Sequence, residues 1–313
     1  MEATPPARQT QAPHPRAQDI TFGVEVECFL PRGAVQVGGH HAGRELGGEF
    51  PPGWNAQRDG SLSTRLPNYE GVEVVSPVLR GRQGLEEVKV VAELLGRMNA
   101  RVNPTCGFHV HVGVVSAAGN DYDEVADWVR RLLNLTAHHE MAFYGATGSR
   151  RRQNSRYCAS LRQGTWGRKK EVLKKKMTAE ALRLEAAGVD RYQLLNVQNV
   201  FGATRTVEFR AFSGTVEALK MTAYVQMALA AATRALERDT TFDAPVTGYA
   251  GTSAAGAMKR FFYLMGWTRG RKDYYKPTCT VEGWVDDMGA LRPVKRELMR
   301  LARKFDASLP AGR

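Results

Sequence analysis

Apolar and polar residues alternate most sharply in four short segments, and each predicts a half-buried strand. In TFGVEVECFL, Val24, Val26 and Cys28 fall on one face and Glu25 and Glu27 on the other. In GVEVVSP, Glu73 opposes Val72 and Val74, and Pro77 ends the run. CGFHVHV sets His109 and His111 against Phe108, Val110 and Val112, and TVEFRAF sets Glu208 and Arg210 against Val207, Phe209 and Ala211. YQLLNVQNVFG reads as a strand pairing with the last of these. Helical spacing appears in LEEVKVVAELLGRM, with Leu85, Val88, Val91, Leu95 and Met98 on one stripe. YDEVADWVRRLLNLTAHHEMAFYG predicts one longer helix, and KKEVLKKKMTAEALRLEAAG a basic one stopped by Gly188. Thr215 is placed to cap VEALKMTAYVQMALAAATRALE, and MKRFFYLMGW and VKRELMRLARKF add two more helices. Between Gly33 and Gly53 the glycines predict a long loop or an irregular hairpin. Strands and helices mix without strict βαβ order, so the fold class is α+β, with no internal repeat.

Composition changes this picture at the edges. Residues 1–19 are rich in Pro, Gln and Ala and lack an apolar core, which predicts a disordered tail and not a signal peptide. Order is expected from about Ile20. No segment nears the roughly 20 apolar residues of a membrane span. Cys28, Cys106, Cys158 and Cys279 form no C-x-x-C pair, which suggests reduced thiols in a cytoplasmic protein. The net charge of +12 favours anionic partners such as nucleotides, nucleic acid or acidic polymers.

Charge also sharpens the reading of the four strands. The polar side of an antiparallel sheet is often no more than its wet face. In so basic a chain that face should be rich in Lys, Arg, Thr and Ser. It carries instead Glu25, Glu27, Glu73, Glu208, His109 and His111 against one arginine, Arg210. Clustered carboxylates call for cations, and carboxylates with an imidazole suit Mg²⁺ or Mn²⁺. Arg210 would give a phosphate beside such ions a rigid fork of donors. There is no Walker-type sequence. Cys106, beside the histidines, reads as a small packed residue. Two other readings stay open: a zinc or manganese hydrolase built on the His-x-His and glutamate set, and a nucleic-acid-binding protein using KKEVLKKK, SRRRQNSR and TRGRKDYYKP.

The order GVEVE, W-x-x-x-x-D-G-S-L, GVEVVSP, CGFHVHV, RY-x-x-L-N and TVEFR resembles the amidoligase family, from about Phe22 to about Leu236. That family belongs to the superfamily of glutamine synthetase and glutamate–cysteine ligase. The resemblance implies a curved, mainly antiparallel sheet flanked by helices, in a glutamine-synthetase-like catalytic domain over residues 20–240. It implies ATP- and Mg²⁺-dependent joining of a carboxylate to an amine through an acyl phosphate. It assigns metal binding to Glu25, Glu27, Glu73, His109 and Glu208, and the transferred phosphate to Arg210. Asp59, in the D-G-S turn, would position substrate. Arg150, Arg156, Tyr192, Asn196 and His111 would lie toward nucleotide or acceptor. His40 and His41 have no counterpart in the pattern. Residues 241–313 fall outside it and are expected to form a helical extension packed on the catalytic domain.

Overall fold

Each alternating segment becomes a strand because its apolar side has helices to pack against. The computed structural model describes residues 16–39, 42–237, 239–240, 253–268 and 281–308. In chain order the strands are β1 (Thr21–Pro31), β2 (Arg44–Glu45), β3 (Asn55–Gln57), β4 (Tyr69–Val75), β5 (Leu79–Arg80), β6 (Gly107–Gly113), β7 (Leu195–Asn196) and β8 (Thr206–Ser213). They form one sheet in the order β2-β3-β4-β1-β6-β8-β7, with β5 beside the start of β1, and every strand pairing is antiparallel. The Gly-rich stretch is thus an irregular hairpin margin, where β2 and β3 pair. His40 and His41 lie outside the described residues.

The helices are α1 (Gly81–Arg97), α2 (Val114–Ala118), α3 (Tyr122–His138), α4 (Glu140–Gly145), α5 (Thr165–Arg168), α6 (Ala179–Ala187), α7 (Ala218–Glu237), α8 (Ala254–Leu264), α9 (Val281–Met288) and α10 (Leu291–Ala307). Val24, Val26, Val110, Val112 and Phe209 are buried on the covered side of the sheet. Helix α7 packs there against β6, with α1, α3 and α10 around it. It is buried on all sides from Met221 to Leu236, as its nearly uniform apolar sequence requires. Helices α8 and α10 pack on α4, and α10 also on α7. No helix among the described residues is long and apolar enough to cross a membrane.

Five local expectations change. Residues 16–19, assigned to the tail, form a 3-10 turn with Ala17 buried and Arg16 in an ion pair with the buried Asp287. The single long helix is broken at His139, whose backbone leaves the helical region and whose ring packs edge-on against His138 and Phe261. The basic helix is confined to α6. Thr178 caps it by accepting from Ala181 N at 3.3 Å, while the lysine-rich half makes one 3-10 turn with Leu173 buried. Crowded like charges and a capping residue both oppose continuation of a helix there. Finally, β7 is two residues long, because Asn196 Oδ1 accepts from Gln198 N at 3.0 Å and turns the chain. Thr215 likewise makes a turn with Glu217 N at 3.2 Å ahead of α7 and does not cap it directly.

One irregularity bears on the site. Phe108 pairs with Phe212 but Val110 pairs with Phe209, so β8 carries one extra residue opposite His109. This bulge lets Phe209 and Phe212 both face the core while Arg210 stays on the polar side.

Candidate active site

Strand register brings the polar residues into one row. Glu25 pairs with His109, Glu27 with Glu73, and His111 with Glu208. On the outer strands Gln57 pairs with Glu73 and Asn196 with Glu208. These residues share the sheet face opposite α7 and form the floor of a cleft of about 930 Å³.

His109 is the centre of this floor and is only 3% exposed. Its Nδ1 lies 3.0 Å from Glu25 Oε2 and 3.4 Å from Glu208 Oε1, while its Nε2 lies 3.7 Å from Glu27 Oε1. His111 Nε2 lies 3.1 Å from Glu25 Oε1. Two acid–imidazole trios result, Glu25–His109–Glu208 and Glu27–Glu73–His109, each with ligand atoms within 4.8 Å of one another. Oxygen-rich sets with one nitrogen and room for water suit a hard divalent cation.

Charge in the row is uneven. Burial pushes the Glu25 carboxyl up, but hydrogen bonds and charge from His109 and His111 outweigh it and hold it well below the usual range. Glu208 is also held low: burial opposes ionisation, and His109, His111 and Arg210 overcome it. His111 is raised, because Glu25 more than offsets its burial. Glu73 goes the other way. Burial, then the charge of Glu25, pushes it up to about 7, and the hydrogen bond from Gln57 only partly compensates. A half-buried carboxyl driven so high by desolvation and a like charge has a natural counterpart in a cation.

Supporting groups fix these side chains. Asn196 Nδ2 donates to Glu208 Oε2 at 2.9 Å. Arg210 pairs with Glu208, donates through Nε to the Tyr157 carbonyl at 3.3 Å, and stands over the Tyr192 ring at 5.6 Å. Gly107 lies on the same strand face as His109 and His111, and its N–H donates to Glu27. A Cβ there would sit 2.8 Å from His109 Nε2, so only glycine leaves the site its room. Arg152, buried, fills the β8 bulge by donating to the carbonyls of Arg210 and of Ala211, the latter at 3.4 Å.

The structure brings Glu25, Glu27, Glu73, His109, His111, Glu208, Arg210, Asn196 and Tyr192 to this cleft. Asp59 lines its rim, where its carboxylate accepts from Ser61 N at 2.7 Å in a turn. Arg150 is not brought there. It donates to the Ser308 carbonyl at 3.2 Å and lies over Phe305 of α10. Arg156 is exposed, bonded to the Tyr157 hydroxyl and stacked on the outside of that ring. The neighbouring Arg151 and Arg152 line the cleft in their place, with Tyr157, Arg58 and Arg191. Sequence reasoning passed over Gln57 because β3 is only three residues long, although Trp54 and Ala56 alternate with it. Cys106 is buried with its thiol pushed up by burial to about 11, which fits a packed residue.

No curated protein matches the chain. The model of the family described as "Putative amidoligase enzyme" matches residues 18–232, which takes in every strand and most of α7, and the chain belongs to this amidoligase family.

Proposed function

We propose that the cleft joins a carboxylate to an amine with ATP as the energy source, through an acyl phosphate. The observation that carries this reading is the meeting of two acid–imidazole trios at His109, on the floor of a cleft rimmed with arginines. Family membership supports carboxylate–amine ligation, and the donor set supports Mg²⁺, with Mn²⁺ as the close substitute.

In this reading a substrate carboxylate oxygen attacks the γ-phosphorus of ATP, and the bond to the β-bridging oxygen breaks with its electron pair leaving on ADP. The amine nitrogen then attacks the acyl carbon. The acyl C–O bond breaks, inorganic phosphate departs, and the nitrogen gives up its proton. Glu25 and Glu208, and Glu27 and Glu73, would hold ions with His109 between them, and bound Mg²⁺ supplies the positive charge that lets two anions approach. Arg210, fixed by Glu208, the Tyr157 carbonyl and Tyr192, presents its guanidinium where charge develops on the transferred group. Arg152 holds the strand that aims Arg210. Tyr192 and Asp59, at the cleft wall and rim, are placed to orient substrate. Residues 20–240 are the catalytic unit and α8–α10 its helical extension.

The competing readings lose their footing for specific reasons. A hydrolase centre leaves the arginine-lined rim without a role. Of the basic stretches, KKEVLKKK builds no helical face and SRRRQNSR turns Arg151 and Arg152 into the cleft; TRGRKDYYKP lies outside the described residues after Thr268 and bears on neither reading. The test is ADP release screened against pooled amino acids, peptides and polyamines, with mass spectrometry of conjugates. Amine-dependent ADP release with a new amide product is expected. Tight stoichiometric zinc with no ATP binding would instead assign a hydrolase.

A further inference from the structure

Beyond the family-matched residues, α9 and α10 enclose a second concavity of about 940 Å³, at the upper end of the range of ligand pockets. Its floor is apolar, with Phe262 and Trp267 beneath and Val281 and Val285, one turn apart on α9, along one wall. Helix α10 is the other wall, and it carries two stripes. One is buried against the body of the protein, from Leu291 and Val294 to Leu301 and Phe305. The second, at spacings of three and four residues, runs from Arg292 through Lys295, Arg296, Met299 and Arg300 to Arg303 and faces the groove. No carboxylate lines this groove among the described residues.

Like charges at those spacings repel one another, and the chain does little to relieve them. Lys295 gives its ammonium to the Trp267 carbonyl, and burial pushes it below the ordinary lysine range. Arg300 pairs with Glu297 of its own helix at 2.6 Å. Arg292, Arg296 and Arg303 are exposed and have no acidic partner among the described residues.

We propose that the α9–α10 groove docks an acidic, amphipathic peptide segment of another protein. Its apolar side chains enter between Val285 and Met299, and its carboxylates pair with Arg292, Arg296 and Arg303. The shape favours a peptide over other anions. Phe262 and Trp267 are 5% and 1% exposed, too deep to reach a lipid layer or to stack on a base. Residues 1–15 carry one acid, Glu2, and residues 269–280 carry Asp273 against four basic residues, so neither segment complements the rim. A second copy carries the same net charge of +12, which opposes association through a basic rim.

The test uses the full chain and needs no nucleotide, so its outcome is independent of the ligase reading. A short fluorescein-labelled peptide with leucines at helical spacing and glutamates elsewhere is titrated by fluorescence anisotropy, beside a scrambled peptide of identical composition. The patterned peptide should bind, the scrambled one at least about tenfold more weakly, and Arg296→Glu should weaken the patterned complex about tenfold. Val285→Asp should do the same, and because Arg296 is exposed its variant remains decisive if Val285→Asp melts early. Equal binding of both peptides, or indifference to Arg296→Glu, would overturn the proposal. So would tighter Arg296-dependent binding of phosphatidylserine vesicles or a single-stranded oligonucleotide. A dimer in sedimentation that Arg296→Glu abolishes would assign the groove to a second copy.

Discussion

Adding a single methyl group at Gly107 should disable the proposed metal site and leave the fold standing. In Gly107→Ala the new carbon meets His109 Nε2 at 2.8 Å and both Arg152 Nη2 and Glu27 Oε2 at 3.3 Å. The backbone there is extended strand, so alanine adds no conformational strain. Crowding of this kind costs about 1–3 kcal/mol, and the reduced freedom of the unfolded chain returns about 0.4–1 of that. A net loss of about 1–2 kcal/mol leaves an ordinary domain folded. The groups that must move, however, are His109 and Glu27 themselves. Disturbing ligand positions or their supports typically lowers metal affinity by about 10–100-fold. The measurement is a Mn²⁺ titration followed by electron paramagnetic resonance of the free ion, with thermal melts in chelator alongside. Gly96→Ala, on α1 with open space around it, is the control and should change neither affinity nor fold. Folded Gly107→Ala protein that binds Mn²⁺ within about a factor of two of the parent would refute the placement of ions against His109 and Glu27.

Glu25→Gln should lower ADP release by about 10²-fold or more with little change in melting temperature, read by coupled assay and circular dichroism. Glu208→Gln should lose turnover too, but at a stability cost of about 3 kcal/mol, because the buried Arg210 loses its partner. Because burial and Glu25 raise Glu73 to about 7, a cation arriving near neutral pH must displace a proton. Calorimetry in buffers of differing ionisation enthalpy should show proton release that fades above about pH 8, where Glu73 is already ionised, and is absent in Glu73→Gln. Arg150→Ala should lower the melting temperature by loosening α10 and leave the KM for ATP unchanged, whereas Arg152→Ala should lower kcat by releasing the bulge carbonyls. A raised KM for ATP in Arg150→Ala would contradict the placement of that residue.

The strands carrying the site were legible because one strand period decides everything about them. Once Val24 and Val26 face helices, Glu25 and Glu27 have no other side to occupy, and the same holds for His109 and Glu208. Alternation does not state which strands are neighbours, so the resemblance gave these residues a common role, and the contact of Glu25 with His109 followed only from register. Loop residues obey no period. Arg150, Arg151, Arg152 and Arg156 are chemically alike, and which of them enter the cleft depends on the anchoring of the loop, through Tyr144 Oη on the Cys158 carbonyl and Arg152 on β8. The α3–α4 break at His139 was hidden for a similar reason. Helical spacing continues across it, and the ring packing that favours it involves Phe261, far along the chain.

His109 stands between two acid trios with a different nitrogen toward each, and a neutral imidazole has only one lone pair free for a cation. Whichever trio captures that nitrogen fixes the remaining proton on the opposite edge of the ring, pointing at the other set of carboxylates. In the proposed reading, ions at the two trios would therefore be unequal. One would meet a nitrogen and oxygens and the other only oxygens beside an N–H, so two ions bound there should show separate affinities.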